Sequence, residues 1–252
     1  MNHPHNDINF QYATENPFAM SIGDLMAALM MIFVLILVIA SSQAQKAEQI
    51  NQDVTERVEI INTQYKDLKQ ELYQALADSF PQAKLDDWEA EIDPENLVIR
   101  FRNNEVLFAT QSSTVRPQFQ RILMEFWPTF INVLHDARFR DRIEEVRIEG
   151  HTSDTWVGCP TVECRYLRNM QLSQDRTRSV LDYVMTRIPT ATDQQDWVRG
   201  NVTANGLSYS HMLANLPHER SQRVEFRVRT DAETVLENMI DQILQITSEL
   251  DG

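Results

Sequence analysis

VRIEGHTS, residues 146–153, alternates apolar and charged side chains ahead of a glycine. A period of two is typical of a β-strand with one buried face. The segments 97–101 (LVIRF) and 224–228 (VEFRV) have the same character, and 202–207 predicts a further short strand. We therefore expect a sheet assembled from strands that lie far apart in the chain.

Two segments between these strands have the spacing of apolar side chains that predicts amphipathic helices. The first spans 119–134 and contains Pro128, which marks a kink or an end of the helix. The second spans 172–188. The order β-α-β-α-β predicts one α/β (α+β) sandwich over residues 88–230. Apolar positions at helical spacing in 231–252 predict a C-terminal amphipathic helix.

An uninterrupted apolar run occupies residues 25–40, and only Ser21, Gly23 and Asp24 interrupt its extension back to Phe18. The segment 18–40 is long enough to cross a hydrocarbon core of about 30 Å at roughly 1.5 Å per residue. A cleaved signal peptide would begin with basic residues, and residues 1–17 contain no Lys or Arg. We expect a retained transmembrane helix that follows a short cytoplasmic tail, 1–17.

No proline or glycine interrupts residues 41–80, so the helix is expected to continue beyond the apolar run. Apolar residues recur there at the spacing of a heptad seam, which fits two structures. One is a parallel two-stranded coiled-coil stalk, and the other is a single helix packed on its own domain. The unbroken length favours the stalk. The seam consists of Val54, Val58, Ile61, Tyr65, Leu68, Leu72 and Ala75.

The chain carries a net charge of −14 with no basic stripe to offset it, which argues against a nucleic-acid partner. No Ser-His-Asp, metal-hydrolase or nucleotide-binding signature occurs, so we expect no enzyme and no bound cofactor. Cys159 and Cys164 lie close together, but His151 alone does not complete a zinc site with them. In an oxidising compartment they would form a disulfide, and in a reducing one they would be two thiols.

Asp24 is the residue of this chain that most needs explaining. An ionised group at the centre of a membrane helix costs about 2.5–3.5 kcal/mol on insertion scales. Asp24 lies roughly 9 Å from Phe18 by helix rise. It either takes up and releases a cation along a protein-lined path, or marks the interface where the span begins. The shortness of the remaining apolar run favours the first role, in which Ser21 is the nearest supporting polar group.

Residues 24–33, DLMAALMMIF, resemble the D-x-M-x-A-x-M-x-x-F pattern of the B subunits of flagellar stator motors. The resemblance implies that Asp24 carries ions in a channel shared with a polytopic A subunit, which is pentameric in that family. It also implies two copies of this chain, a cytoplasmic N-terminus and a periplasmic C-terminal domain in the inner membrane. The transported ion would be a proton, with sodium as the alternative.

The segments VRIEGHTS, NMQLSQDR (169–176) and RVEF (223–226) resemble the OmpA-like peptidoglycan-binding domain over about 97–229. In that family an Asp and an Arg hold the ammonium and carboxylate of diaminopimelate. Arg176 matches the Arg, and Asp154 is the expected Asp, although Ser153 stands directly after His-Thr. Asn169, Leu172 and Arg223 match other motif positions, with a core role for Leu172 and a salt-bridged strand role for Arg223 as alternatives.

The acidic N-terminal tail and the segment SIGDLMAALMMIF make the chain more similar to the B subunit of Zorya anti-phage defence systems than to flagellar stator B subunits. The resemblance implies a proton-driven motor that is anchored to peptidoglycan and serves in antiviral defence. A flagellar stator B subunit is the first alternative. A passive envelope tether without ion transport is the second. Lys46 and Arg57 weakly favour the opposite orientation by charge, and the domain resemblance outweighs them.

Overall fold

The computed structural model describes residues 17–102, 104–213, 221–231, 234, 235 and 241. The chain divides into two compact units, with the boundary between Arg57 and Val58. Residues 1–16 of the predicted tail 1–17 lie outside the described residues, and so does most of the predicted helix 231–252. In the described part of that helix, Thr234 and Val235 are helical.

The first unit contains the N-terminal part of helix α1, which runs from Pro17 to Ser79. Its large apolar side chains between Ile22 and Ile39 are 49–69% exposed. The helix is long and apolar enough to cross a membrane. Side chains so apolar and so exposed on every face are typical of a helix surrounded by lipid.

The second unit is a five-stranded mixed sheet with helices packed against it, which confirms the predicted α/β fold. The strand order is β1-β2-β5-β3-β4, and only the β3–β4 pair is parallel. The strands are β1 Ala90–Asp93, β2 Val98–Phe101, β3 Ile143–His151, β4 Val202–Gly206 and β5 Arg223–Thr230. The helices after α1 are α2 Gln82–Asp87, α3 Asn104–Leu107, α4 Pro117–Leu134, α5 Val162–Arg187 and α6 Thr192–Asn201, with a 3₁₀ turn at Arg140–Arg142.

An aromatic cluster joins α4 to one face of the sheet. The ring of Phe126 lies 4.8 Å from that of Phe226 and 5.2 Å from that of Phe101, measured between centroids. Pro128 lies within α4, so it does not end the helix. The helix continues because the apolar residues on both sides of Pro128, such as Trp127 and Phe130, remain buried in the core.

The last turns of α1 belong to the second unit. Leu68, Leu72, Leu76 and Phe80 are all buried in its hydrophobic core. The seam assigned to a stalk over 41–80 therefore ends on the chain's own domain, because the core supplies the apolar surface that those leucines require. The earlier seam residues, such as Val58, are more exposed, and their pairing with a second copy stays a prediction.

A pair of glycines sets the distance between α5 and the sheet. Gly150 and Gly206 are partners in the β3–β4 register. A Cβ on Gly206 would lie 2.3 Å from the backbone nitrogen of Gln174, and one on Gly150 would lie 2.8 Å from the carbonyl oxygen of Ser173. No side chain fits at either position, so the backbone of α5 rests directly on these strands.

We expect Gly206→Ala to destabilise the protein by about 2 kcal/mol or more, since overpacking that must displace backbone typically costs 1–3 kcal/mol. Chemical denaturation of the full chain in detergent, followed by tryptophan fluorescence, measures the change. Gly200→Ala is the matched control, because an added Cβ there meets nothing within 4 Å and lies in a helix. A Gly206 variant as stable as the Gly200 variant would contradict this account of the packing.

Candidate functional site

A cavity of about 630 Å³ lies between α5 and the loop that follows β3. Four of the predicted wall-binding residues line it: Asp154, Asn169, Leu172 and Arg176. The role of each stays a prediction, but the fold brings all four to one place. Its other lining residues are Thr110, Gln111, Thr152, Ser153, Thr155, Trp156, Val157, Cys159, Arg165 and Gln222.

Arg176 is a buried cation held by uncharged groups. The residue is 3% exposed, its Nε donates to the carbonyl oxygen of Ser112 at 2.9 Å, and its Nη2 donates to that of Ala109 at 3.4 Å. The guanidinium carbon lies 4.9 Å from the ring centroid of Phe108. Burial lowers the pKa of Arg176 to about 10, which still leaves it charged at neutral pH.

No carboxylate among the described residues forms an ion pair with Arg176, and burial is the one cause of its altered pKa. A desolvated charge of this kind is costly unless an opposite charge approaches it. The geometry therefore suits an incoming anion, and a guanidinium can bind a carboxylate through two parallel hydrogen bonds.

The sequence left open whether Ser153 or Asp154 occupies the expected Asp position, and both residues line the cavity. Ser153 is buried, and its hydroxyl lies 3.0 Å from that of Thr155 and accepts a hydrogen bond from Nε2 of Gln222 at 3.3 Å. Asp154 is only half-buried and carries the carboxylate. It is the group able to meet a ligand ammonium.

Asn169 and Leu172 present different surfaces to the cavity. Nδ2 of Asn169 donates to the carbonyl oxygens of Thr155 and Arg165, at 3.2 and 3.0 Å, and so connects the loop to α5. Leu172 is half-buried at the edge of the cavity and is absent from the described hydrophobic core. Leu172 therefore does not have the core role that was the alternative to a place in the site.

The cysteines form the predicted disulfide, Cys159–Cys164, with a Cα–Cα distance of 5.4 Å. The bridge connects the loop to the first turn of α5, where the hydroxyl of Thr161 accepts a hydrogen bond from the backbone nitrogen of Cys164 at 3.2 Å. The helix thus begins at Val162, before the 172–188 segment in which its periodicity is visible. Its first turns are exposed or half-buried, and their apolar residues Val162 and Leu167 face solvent, so apolar spacing does not reveal this part of the helix.

Arg223, the fifth residue predicted to bind the wall, does not line this cavity. It is 5% exposed, and its Nε donates to Oε1 of Glu225 at 2.6 Å. Its Nη1 and Nη2 donate to the carbonyl oxygens of Ser221 and His211, at 2.8 and 2.9 Å. Each of the three guanidinium nitrogens thus donates to a group of the protein, which fits the alternative interpretation of Arg223 as a salt-bridged strand residue.

Arg223 belongs to a charge network on the sheet face opposite the aromatic cluster. Glu225, which is 1% exposed, also accepts hydrogen bonds from Arg100 at 2.6 Å and from Arg227 at 3.2 Å. Nε of Arg227 donates to both carboxylate oxygens of Glu149 at 3.0 Å. The network ties β2, β3 and β5 together through their side chains.

His151 lies within this network, and Glu149, His151 and Glu225 are close enough to hold a metal ion. Its Nε2 lies 3.6 Å from Oε2 of Glu225 and 3.9 Å from Oε2 of Glu149. The arginines already neutralise both carboxylates, so a divalent cation would enter a positive environment. We assign the group to the charge network and not to a metal centre.

The pKa values in the network follow from burial and charge. Burial lowers the pKa of His151, and the nearby charge of Arg223 acts in the same direction. Burial by itself would raise the pKa of Glu225, but His151 and Arg223 outweigh it and hold that pKa well below its usual range. Glu225 therefore stabilises the fold above pH about 4.5, and this contribution is lost as the pH falls.

Glu225→Gln should lower the free energy of unfolding at neutral pH by about 3 kcal/mol, since removing one partner leaves buried charges uncompensated. It should also flatten the loss of stability of the full chain below pH 5. Glu125→Gln is the control, because the Glu125–Lys84 pair is exposed and should contribute under about 0.5 kcal/mol. An unchanged pH profile in the Glu225 variant would argue against the network.

Sequence motifs did not reveal several lining residues. Arg165 follows directly after Cys164 and lies outside the motif that contains Asn169 and Arg176. Thr110 and Gln111 come from the segment between α3 and α4, and only the tertiary fold brings them to the cavity. Trp156 belongs to the segment between β3 and the disulfide-bonded Cys159.

Three solved structures are similar to the chain at low identity. A MotB-like protein from Desulfovibrio vulgaris is 22% identical with a TM-score of 0.46, over 66% of this chain and 96% of that one. The cell wall anchor of the T6SS from Pseudomonas aeruginosa is 23% identical with a TM-score of 0.40, over 63% and 96%. The periplasmic domain of Helicobacter pylori MotB is 12% identical with a TM-score of 0.40, over 61% and 89%.

No family model matches the chain. A curated relative, the Zorya protein ZorB of Escherichia coli strain Crooks, is 38% identical over 232 residues. The match covers 90% of this chain and 94% of the relative. At this identity over nearly the whole length of both proteins, the chain belongs to the ZorB family of Zorya proteins.

Proposed function

We propose that this chain is the wall-anchored B subunit of an ion-driven motor in the bacterial inner membrane, used in defence against phage. In this proposal α1 crosses the membrane once, Asp24 carries the transported ion, and the domain over 88–230 binds peptidoglycan. The observation that carries it is the presence, on one chain, of an exposed apolar helix containing a carboxyl and of a cavity containing a buried guanidinium that has no ion-pair partner among the described residues.

The cavity suits the zwitterionic centre of diaminopimelate in the peptidoglycan stem peptide. Arg176 would bind the carboxylate, and Asp154 would accept hydrogen bonds from the ammonium group. Each ligand charge then meets its opposite, and the cost of keeping Arg176 desolvated is offset when the ligand arrives. Leu172 would contact the apolar carbons between the two charged groups.

Asp24 lies on the same face of α1 as Ser21, since residues three apart are neighbours on a helix surface. A lone carboxyl among exposed apolar side chains requires polar groups from another protein. We infer that a polytopic A subunit, pentameric by family resemblance, surrounds this segment of a dimer of the present chain. Each unit charge that crosses the field supplies about 2.3 kcal/mol per 100 mV. The ion would be a proton, with sodium as the alternative.

The Cys159–Cys164 disulfide supports a periplasmic location for the domain, because such bonds persist in oxidising compartments. The N-terminus would then be cytoplasmic. This argument outweighs the two basic residues after the apolar run, Lys46 and Arg57, which are few for an orientation by charge.

Wall binding can be tested with Asp154→Asn and Arg176→Gln in the full chain, by co-sedimentation with purified peptidoglycan sacculi. Each change removes a charge-assisted contact of about 1.5–3 kcal/mol, so affinity should fall at least about tenfold. The controls are Asp175→Asn and Arg178→Gln, which alter exposed residues of α5 and should bind like the unchanged protein. Undiminished binding by Asp154→Asn, which alters a half-buried residue, would overturn the proposed site.

Ion transport can be tested separately with Asp24→Asn. The neutral amide cannot take up and release a cation, so protection against phage should be lost in cells that carry the complete defence system. Sedimentation with sacculi should stay unchanged. Glu56→Gln, an exposed acid beyond the apolar run, should keep protection. Full protection by the Asp24 variant would favour the passive tether.

A further inference from the structure

We propose that Arg165 forms a second anion site in the same cavity, which makes the domain prefer stem peptides that carry two carboxylates at this point. The inference rests on the proposed binding of peptidoglycan and concerns which chemical form of it is bound. It arises from the balance of charge in the cavity, since one zwitterionic centre does not use all of its charged residues.

The described lining of the cavity contains three charged residues: Asp154, Arg165 and Arg176. A zwitterionic centre held by Asp154 and Arg176 adds one positive and one negative charge. Among the described lining residues, one positive charge would then still be in excess, at Arg165. A second carboxylate on the ligand would balance it.

Arg165 has donors available for such a group. Its Nη1 donates to the carbonyl oxygens of Cys159 and Pro160, over long distances of 3.5 and 3.3 Å. Nε and Nη2 donate to none of the described residues, and none of the described carboxylates forms an ion pair with this guanidinium. Peptide carbonyls orient the group without neutralising it, so the charge remains for a ligand.

The position of Arg165 is fixed from two sides. Its own carbonyl oxygen accepts a hydrogen bond from Nδ2 of Asn169 at 3.0 Å. The carbonyl groups that its side chain contacts lie in the loop closed by the Cys159–Cys164 disulfide. Such preorganisation lowers the entropic cost of binding, which otherwise weakens contacts made by long side chains.

The stem peptide supplies a second carboxylate in the right neighbourhood. The glutamyl residue before diaminopimelate is linked through its γ-carboxyl group, which leaves its α-carboxylate free. In amidated peptidoglycan this group is a neutral carboxamide. A guanidinium distinguishes the two forms, because the carboxylate offers two accepting oxygens and the opposite charge, whereas the carboxamide offers one accepting oxygen and an NH2 group that can only donate.

The test measures binding of the full chain in detergent to L-alanyl-γ-D-glutamyl-meso-diaminopimelate in which the L-centre carboxyl of diaminopimelate is amidated, and to the same peptide with the glutamyl α-carboxylate amidated as well. We expect the acid to bind about tenfold more tightly. Arg165→Gln should lose this preference mainly by binding the acid less well, and Arg165→Lys should keep most of it because the charge remains. Arg168→Gln, which alters an exposed arginine of α5, is the matched control and should keep the full preference.

A preference that survives in Arg165→Gln, or an unchanged protein that binds both peptides equally, would overturn this inference and leave the proposed wall binding intact. If the unchanged protein bound neither peptide, the proposed wall binding would fail and the inference with it. Thermal unfolding of each variant separates a loss of ligand preference from a loss of fold.

Discussion

The direct contact between the backbone of α5 and strands β3 and β4 is the constraint on which the site depends. Gly150 and Gly206 are paired across the two strands and leave no room for a side chain beneath Ser173 and Gln174. Helix and strands are therefore held at a single separation. Since β3 leads into the loop with Asp154 and α5 carries Arg165 and Arg176, the same contact sets where the three charged residues of the described cavity lining lie.

The charge network and the cavity differ in how their buried arginines are paired. On the face of the charge network, Glu225 and Arg223 are buried together and satisfy one another. At the cavity, Arg176 is equally buried, but among the described residues its guanidinium donates to carbonyl oxygens and lies over an aromatic ring, with no carboxylate in an ion pair. A buried charge that already has an ion-pair partner gains little from binding a ligand. A buried charge without such a partner is stabilised when a ligand of opposite charge binds. This difference in surroundings separates Arg223, which has a carboxylate partner, from Arg176, which is the arginine proposed to bind a ligand.

Much of the fold could be predicted from the sequence because strand alternation and helical spacing are local. The strands around Ile148 and Phe226 and the helix around Phe126 were all indicated by such patterns. The burial of Leu72 was not, because one apolar seam fits both a second copy and the chain's own core. Motifs located Arg176 and Asp154 but could not distinguish Arg176 from Arg223. The distinction depends on which carboxylates the tertiary fold places beside each guanidinium.

Anchoring and ion binding make different demands, and the chain meets them with different chemistry. In the proposed function, the Asp24 carboxyl must bind and release a cation during each cycle, so its charge has to change. The wall contact must persist under load, so it needs charges that remain fixed. Arg176 fits the second demand, because even after burial its pKa of about 10 keeps it cationic well above neutral pH. The grip on the wall would thus be insensitive to proton flow that the motor itself uses.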